Sequence, residues 1–486
     1  MEAEILEIGC RRQLLIDNWI VEDIWQAPRK IHHPRKHPHN PLLVPEESWE
    51  GRTTTLYGSV APMPGAGYRM WYTTFGRRPR SGVDEPSHTY RVCYAESEDG
   101  IQWRKPIVGL WDWFGSKENN LVLCEDMVTD DGRPMTNRSG TQSFSLLMDA
   151  GPAADDGLLH AITKAVPPDA PEPPDGISLR VKGGICHIIS EDGLRWRPHP
   201  DKYLLISGHS DTPNNIHWNP ALGKYMCFVR PNNFAGPAKR RSAVSLSEDL
   251  KQWTQSRVVM AADELDTAQQ VYGMGVFPYE GMWLGMLELY DTHYGIIDVQ
   301  LAHSRDGLHW ERLPIRQPII PRGEEGAWDS MGIHTSCRPI IVDDSVRIYY
   351  DGMNARHSDK DNLQMSIGLA SWRLDGFVSR SAEAQGEILT RPFRCEASQL
   401  HVNCRAVGGV LSAEVVAVDS QSDDQLNSAQ VAKGYTKGDC IPFNGDSTDA
   451  EVLWEGGKNL ASFKGQVIRL KFYLSYADLY AFQLNE

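Results

Sequence analysis

The chain is short of positive charge and has no long apolar run. Its 49 Lys and Arg face 64 Asp and Glu, a net charge of −15, which excludes a nucleic-acid partner whose phosphates it would repel. The same sign argues against an anionic membrane surface, and no stretch is apolar for long enough to span a bilayer. The start, "MEAEILEIGC", has neither the basic n-region nor the apolar core of a secretory signal. A cytoplasmic protein is expected, with a secreted form whose signal has been removed left open. There is no G-x-G-x-x-G or G-x-x-x-x-G-K-[ST] ahead of a helical pattern, no G-x-S-x-G and no H-E-x-x-H. No organic cofactor is therefore expected. The 9 Cys lack C-x-x-C or zinc-ligand spacing. Cys93, Cys186, Cys227 and Cys337 lie in apolar, strand-like runs, where buried free thiols are common.

What is present is a repeat. "SEDGIQW" (97–103) returns as "SEDGLRW" (190–196), "SEDLKQW" (247–253) and "SRDGLHW" (304–310). The closing residues Trp103, Trp196, Trp253 and Trp310 are 93, 57 and 57 residues apart, a period that signals a propeller or similar array. Each unit has one grammar, clearest in "NNIHWNPALGKYMCFVR" followed by "SAVSLSEDLKQW": strand, turn, strand, polar loop, strand, tight turn, strand. Alternating apolar residues rich in β-branched and aromatic types favour strands over helices. Like units lie at 57–103, 140–196, 271–310 and, degenerate, 332–377. The fold class expected is all-β: a five-bladed β-propeller followed by a C-terminal β-sandwich. The boundaries expected are a lead-in segment over 1–44, the propeller over 45–384 and the sandwich over 385–486. The segment "RQLLIDNWIVED" is a further strand candidate, either packed on the propeller or closing it. The His-rich "HHPRKHPHN" at 32–40 matches no familiar metal spacing and reads as a loop edge.

The repeated phrase builds turns. Its Asp can accept backbone N–H bonds across a tight turn while Gly supplies positive φ. Asp99, Asp192, Asp249 and Asp306 are thus turn-makers rather than catalysts. Those turns occupy one face of the ring, and the longer polar loops share the other, where functional loops on a rigid scaffold usually lie.

On that second face, acids stand just ahead of the innermost strands: Glu50, Asp211, Asp266 and Asp329. Paired carboxylates converging on a cleft suit glycosidic cleavage, one protonating the leaving oxygen and the other acting as nucleophile or base. Asp211 and Asp329 lead, since a funnel strand follows each directly. Trp49 and Trp328 can stack on a sugar ring. Asn214, Asn215, Arg230 and His357 can bond hydroxyls or a carboxylate. His334 opens the fifth inner strand, where it can hold water or a structural cation in the axial channel. A structural role is the alternative for each of these residues.

The blade units, the S-x-D-G-x-x-W hairpins and the trailing β pattern together resemble the five-bladed-propeller glycoside hydrolase superfamily, families 32, 43 and 68 with their relatives. The plan is most similar to family 32, in which a sandwich follows the propeller. The hairpin phrase itself resembles the Asp box of sialidase propellers, one residue shorter. "NPLLVPEESWEG", "YRMWY", "SRDGLHWER" and "DGFVS" also look like phrases of family-32-like bacterial proteins. The resemblance implies a glycoside hydrolase acting on an oligo- or polysaccharide, a furanoside such as a fructoside or arabinoside among the options. The family 32 acid motifs N-D-P-N-G, R-D-P and E-C are absent. "LYGSV", "PNNIHW" and "YGMGV" stand at the corresponding strands, so no acid carries over residue by residue. Two alternatives stay open: a non-catalytic carbohydrate-binding propeller, and a phosphorylase or lyase with an anion pocket around Arg230 or around Arg77 and Arg78.

Overall fold

The computed structural model describes all residues except 1–4, 77–88, 125–126, 128–135, 137–140, 168–182, 209, 232–239, 360 and 419–428. Arg77 and Arg78 lie outside the described residues.

The chain is all-β, a five-bladed propeller followed by a β-sandwich. The blades' innermost strands are Thr55–Pro62, Gln142–Leu146, Asn215–Asn219, Gln269–Tyr279 and Gly332–Thr335. Each pairs antiparallel with a nearly fully buried second strand: Tyr68–Gly76, Leu159–Ala165, Lys224–Val229, Met282–Asp291 and Ser345–Met353. Blades four and five also touch through a parallel pairing of Ile297 with Gly332.

Blade five is closed from the far end of the sequence. Its third strand, Met365–Arg373, pairs antiparallel with Arg35–Lys36, inside the His-rich segment expected to be a loop edge. A two-residue strand carries no periodic pattern, so composition alone pointed to a loop. "RQLLIDNWIVED" does not close the ring either. Gln13–Leu14 and Val21–Trp25 join the sandwich, pairing with Ala477–Asn485 and Gly386–Thr390.

Inner strands of adjacent blades splay apart, which leaves backbone N–H groups needing acceptors. One side chain answers at each of the five junctions. Ser59 Oγ accepts from the Leu146 amide at 3.0 Å and Ser145 Oγ from Ile216 at 3.3 Å. Asn215 Oδ1 accepts from Val276 at 3.3 Å while its Nδ2 donates to the Met274 carbonyl at 2.9 Å. At the last two junctions the acceptor comes from a second strand and is a carboxylate. Glu288 Oε1 accepts from Thr335 at 3.2 Å, and Asp351 Oδ1 accepts from Leu56 at 2.7 Å.

The repeated phrase folds as its chemistry requires. Asp99 Oδ1 accepts from the amides of Ile101 and Gln102, both at 2.8 Å, and Ser97 Oγ accepts from Gly100 at 2.9 Å. Asp192, Asp249 and Asp306 repeat the pattern. The backbone bonds, that from Gln102 foremost, hold the Asp99 carboxyl below its usual pKa. These turns also join blades. Trp71 Nε1 of blade one donates to the Gly193 carbonyl of blade two at 2.7 Å. Across the seam where the ring closes, Tyr349 Oη of blade five donates to Gly100 of blade one at 2.6 Å.

The sandwich core gathers Val402, Cys404, Leu470, Phe472, Leu479 and Phe482 with Leu6, Leu15 and Ile20 from the chain's start. Its 20-residue strand Gln399–Val418 is long enough to serve both layers: residues 399–405 pair with Ala477–Asn485, and 410–417 with Val467–Ser475. No Cys forms a disulfide among the described residues, and only Cys10 is exposed. Among the described residues no helix is long and apolar enough to cross a membrane.

Candidate active site

At the mouth of the axis, on the face opposite the Asp turns, a pocket of about 100 Å³ is lined by side chains from every blade. Thr55, Tyr57, Thr73, Phe75 and Tyr90 come from blade one and Gln142 from blade two. Asp211 stands on the lead-in to blade three and Tyr272 on blade four; His334, Met353, His357, Leu363 and Met365 belong to blade five.

Asp211 is the one carboxylate among the described residues that line this pocket. Its side chain is 42% exposed, pairs with Arg230 Nη2 at 3.2 Å and accepts from Gln142 Nε2. The loop carrying it is held from below. Ser210 Oγ donates to Asn214 Oδ1 at 2.5 Å and accepts from the Arg230 amide at 2.8 Å, while Asn214 Nδ2 donates to the Thr212 carbonyl at 3.0 Å. Asn214 therefore positions Asp211 rather than facing the cavity, and Asn215 is buried in the junction of blades three and four. Arg230 is 4% exposed and lies with its guanidinium 5.2 Å from the Tyr272 ring centre.

Behind the lining lie two fully buried carboxyls that sequence reasoning missed, Glu288 and Asp351. Burial pushes Glu288 up to about 7, against the lowering pull of His334 and the Thr335 amide. Its Oε2 has no hydrogen-bond partner among the described residues. An added Cβ at Gly273 would stand 2.6 Å from that oxygen, so only glycine leaves the carboxyl its room. Asp351 Oδ2 accepts from His334 Nδ1 at 2.9 Å. Burial alone would lower the His334 pKa, but the Asp351 and Glu288 charges outweigh it and raise it. His334 Nε2 is buried without a partner among the described residues. Tyr272 Oη and His357 Nε2 are 3.0 Å apart. The Tyr272 phenol, pushed up to about 12 chiefly by burial and then by Asp211, stays protonated as a donor.

The other three acids singled out from sequence do not line the pocket. Glu50 is fully buried, accepting from Tyr72 Oη at 2.5 Å and Lys105 Nζ at 2.8 Å. Asp266 forms a bidentate pair with Arg312 at 2.5 and 3.0 Å. Burial would raise its pKa, but the Arg312 bonds hold it below the ordinary value. Asp329 is 2% exposed, bound to Lys36 Nζ at 2.5 Å and to Tyr350 Oη at 3.0 Å. Trp49 donates to Asn120 Oδ1 at 2.8 Å within a packed cluster, and Trp328 stacks on Tyr350 with centroids 5.4 Å apart. Arg230, His334 and His357 do gather with Asp211 at the funnel. Among the described residues no three His, Cys, Asp or Glu are placed to hold a metal ion.

A larger cleft of about 310 Å³ opens near the Asp192 and Asp249 turns, beside His160, His187 and His199. Its histidines are engaged with one another and with Asp156: His160 contacts His187 and Asp156 at 3.0 Å each, and the His187 and His199 rings stack at 4.6 Å. The axial pocket has the better claim, because there a carboxylate, two histidines and three phenols converge.

No family model matches the chain, and no curated protein does. Solved structures are similar in shape. A β-1,2-mannobiose phosphorylase from Listeria innocua is 13% identical with a TM-score of 0.48, over 70% of this chain and 97% of that one. A glycosyl hydrolase from Bacteroides ovatus is 12% identical with a TM-score of 0.48, over 71% and 94%. An N-acetylgalactosamine deacetylase from F. plautii is 14% identical with a TM-score of 0.46, over 73% and 96%.

Proposed function

We propose that the chain is a carbohydrate-active enzyme that cleaves a glycosidic bond in the axial pocket. The observation carrying this reading is the pairing of unlike carboxyls around one wall. Asp211 is accessible and ion-paired, whereas Glu288 is buried and titrates near neutrality. Environments that push two acids apart assign their roles. Asp211, accessible and held by Arg230, acts on the sugar as the ionised base or nucleophile. Glu288 is the protonated carboxyl behind the wall, and His334, whose Nε2 lacks a partner among the described residues and whose ring lines the cavity, is the group that donates a proton to the leaving oxygen. Tyr57, Tyr272 and His357 supply donors and an aromatic wall for sugar hydroxyls and ring faces. Asp329, Glu50 and Asp266 have no part in the chemistry on this reading.

One observation favours phosphorolysis as a second reading: a single described carboxylate faces the cavity, and a phosphate nucleophile needs only one acid from the protein. The test is a panel of oligosaccharides, furanosides and pyranosides, incubated with and without inorganic phosphate. Hydrolysis without phosphate supports the first reading, and sugar phosphates as products support the second. Binding without turnover of any glycan would leave a carbohydrate-binding propeller.

A further inference from the structure

Three cations crowd one side of the pocket in a protein whose net charge is −15. Lys164 Nζ donates to Gln142 Oε1 at 2.8 Å, and Gln142 in turn holds Asp211. Arg230 pairs with Asp211 at 3.2 Å and donates to the Tyr272 carbonyl at 3.1 Å. Arg240 lies 5.9 Å from the Tyr272 ring centre and 4.9 Å from that of Tyr290, donating to Gln270 Oε1 at 3.1 Å. Gln142, Asp211 and Tyr272 all line the cavity, so the three cations stand directly behind its wall.

Among the described residues the charges do not balance locally. Lys164 and Arg240 have only neutral amide partners and form no ion pair among the described residues. Arg230 keeps a buried Nε with no partner among the described residues. Burial lowers the Lys164 pKa, against the pull of Asp211, so desolvation of this ammonium is already costly. A positive excess of this kind, with Arg230 buried and Lys164 and Arg240 half-buried, is stabilised when a ligand brings the missing negative charge.

We propose that this corner is an oxyanion subsite: the substrate class is a saccharide whose reacting end meets a compact oxyanion, either a carboxylate carried by an acidic sugar residue or free phosphate. The identification of the pocket as the cleavage site rests on the function proposed above; the charge argument does not.

The full-length protein is titrated calorimetrically with trigalacturonate, with neutral galactotriose and with inorganic phosphate. The same titrations follow for Lys164→Gln, Arg240→Gln and the charge-preserving Arg240→Lys. The expected result is that one anionic probe binds at least about tenfold tighter than galactotriose, in line with charge-assisted bonds. Each Gln variant removes about tenfold or more of that preference, Arg240→Lys recovers part of it, and added salt weakens it. Preference for trigalacturonate assigns the oxyanion to the sugar, and preference for phosphate assigns it to a free co-substrate. Equal binding of all three probes, no anion binding, or anion binding untouched by the Gln variants in proteins that melt like wild type overturns the subsite. Cleavage of neutral glycans without anion binding removes the subsite and leaves the proposed function standing. Anion binding at these residues without cleavage of any glycan does the reverse.

Discussion

Glu288 Oε1 accepts a hydrogen bond from the Thr335 amide of the next blade at 3.2 Å, while Oε2 of the same carboxyl has no partner. One group thus ties blade four to blade five and carries a titratable proton behind the pocket wall. The two roles separate by pH. Between 4.5 and about 7 the native carboxyl keeps a proton that the unfolded chain has released. The native state then binds more protons, so stability falls as pH rises through that window. The interval corresponds to about 3 kcal/mol as an upper bound. His334, also raised, acts in the same direction: its contribution is present below 6.5 and is lost as pH rises through its folded value. Urea melts of wild type and Glu288→Gln at about pH 5 and about pH 8 measure this. The wild type is expected to lose stability toward the higher pH, and the Gln variant to lose clearly less. Parallel pH profiles would mean that Glu288 is ionised throughout.

Asp211→Asn is expected to abolish turnover, by about a thousandfold or more in kcat/KM, without unfolding the chain. The side chain is 42% exposed, but its loss leaves the buried Arg230 guanidinium without its charge partner, so it costs about 1–2 kcal/mol of stability. Product analysis on the responsive glycan, with a thermal melt alongside, checks both parts. A mutant that keeps its rate would move the chemistry away from this carboxylate.

The blade plan was legible because a turn with a strict chemical need repeats. Ser, Asp and a residue at positive φ recur wherever the third strand turns into the fourth. Asp211 was legible because an acid stood in a polar loop at the functional face. Asp329, Glu50 and Asp266 stood in similar loops, and no sequence pattern distinguishes an acid that faces a cavity from one that meets Lys36, Lys105 or Arg312 from 46 to 293 residues away. Glu288 and Asp351 did leave a signal: each is a lone acid inside an apolar second strand, "WLGMLELY" and "VRIYYDGM". A charged residue where every strand neighbour is buried must have a partner or an altered pKa. Attention to loops alone passed over it.

Asp329→Asn is expected to destabilise the protein while leaving activity per folded molecule intact. The substitution removes the negative partner of Lys36, which belongs to the two-residue strand completing blade five. Breaking a mostly buried pair leaves one charge uncompensated, here at about 2–3 kcal/mol because the Lys36 side chain is 28% exposed. The urea midpoint should drop, and a double variant Lys36→Met/Asp329→Asn should regain part of the loss. Loss of turnover at unchanged stability would instead return Asp329 to the chemistry.

Leu250 tests how the repeated turn tolerates its one departure. It adopts φ +60°, where Gly100, Gly193 and Gly307 stand in the other three turns at +74°, +82° and +78°. A non-glycine residue pays about 1 kcal/mol or more for that conformation, yet Leu250 is 5% exposed and packs with Ile162, Tyr225 and Trp253. Burying a leucine is worth about 1.5–3 kcal/mol, so packing wins. Leu250→Gly should therefore lower stability by about 1 kcal/mol despite the relaxed backbone. Gly307→Ala should cost more, since its Cβ would stand 2.8 Å from Met226 Cε as well as adopting positive φ. Urea midpoints of the two variants decide between these accounts. A stabilised Leu250→Gly would show that backbone strain, rather than the inter-blade contact, governs this turn.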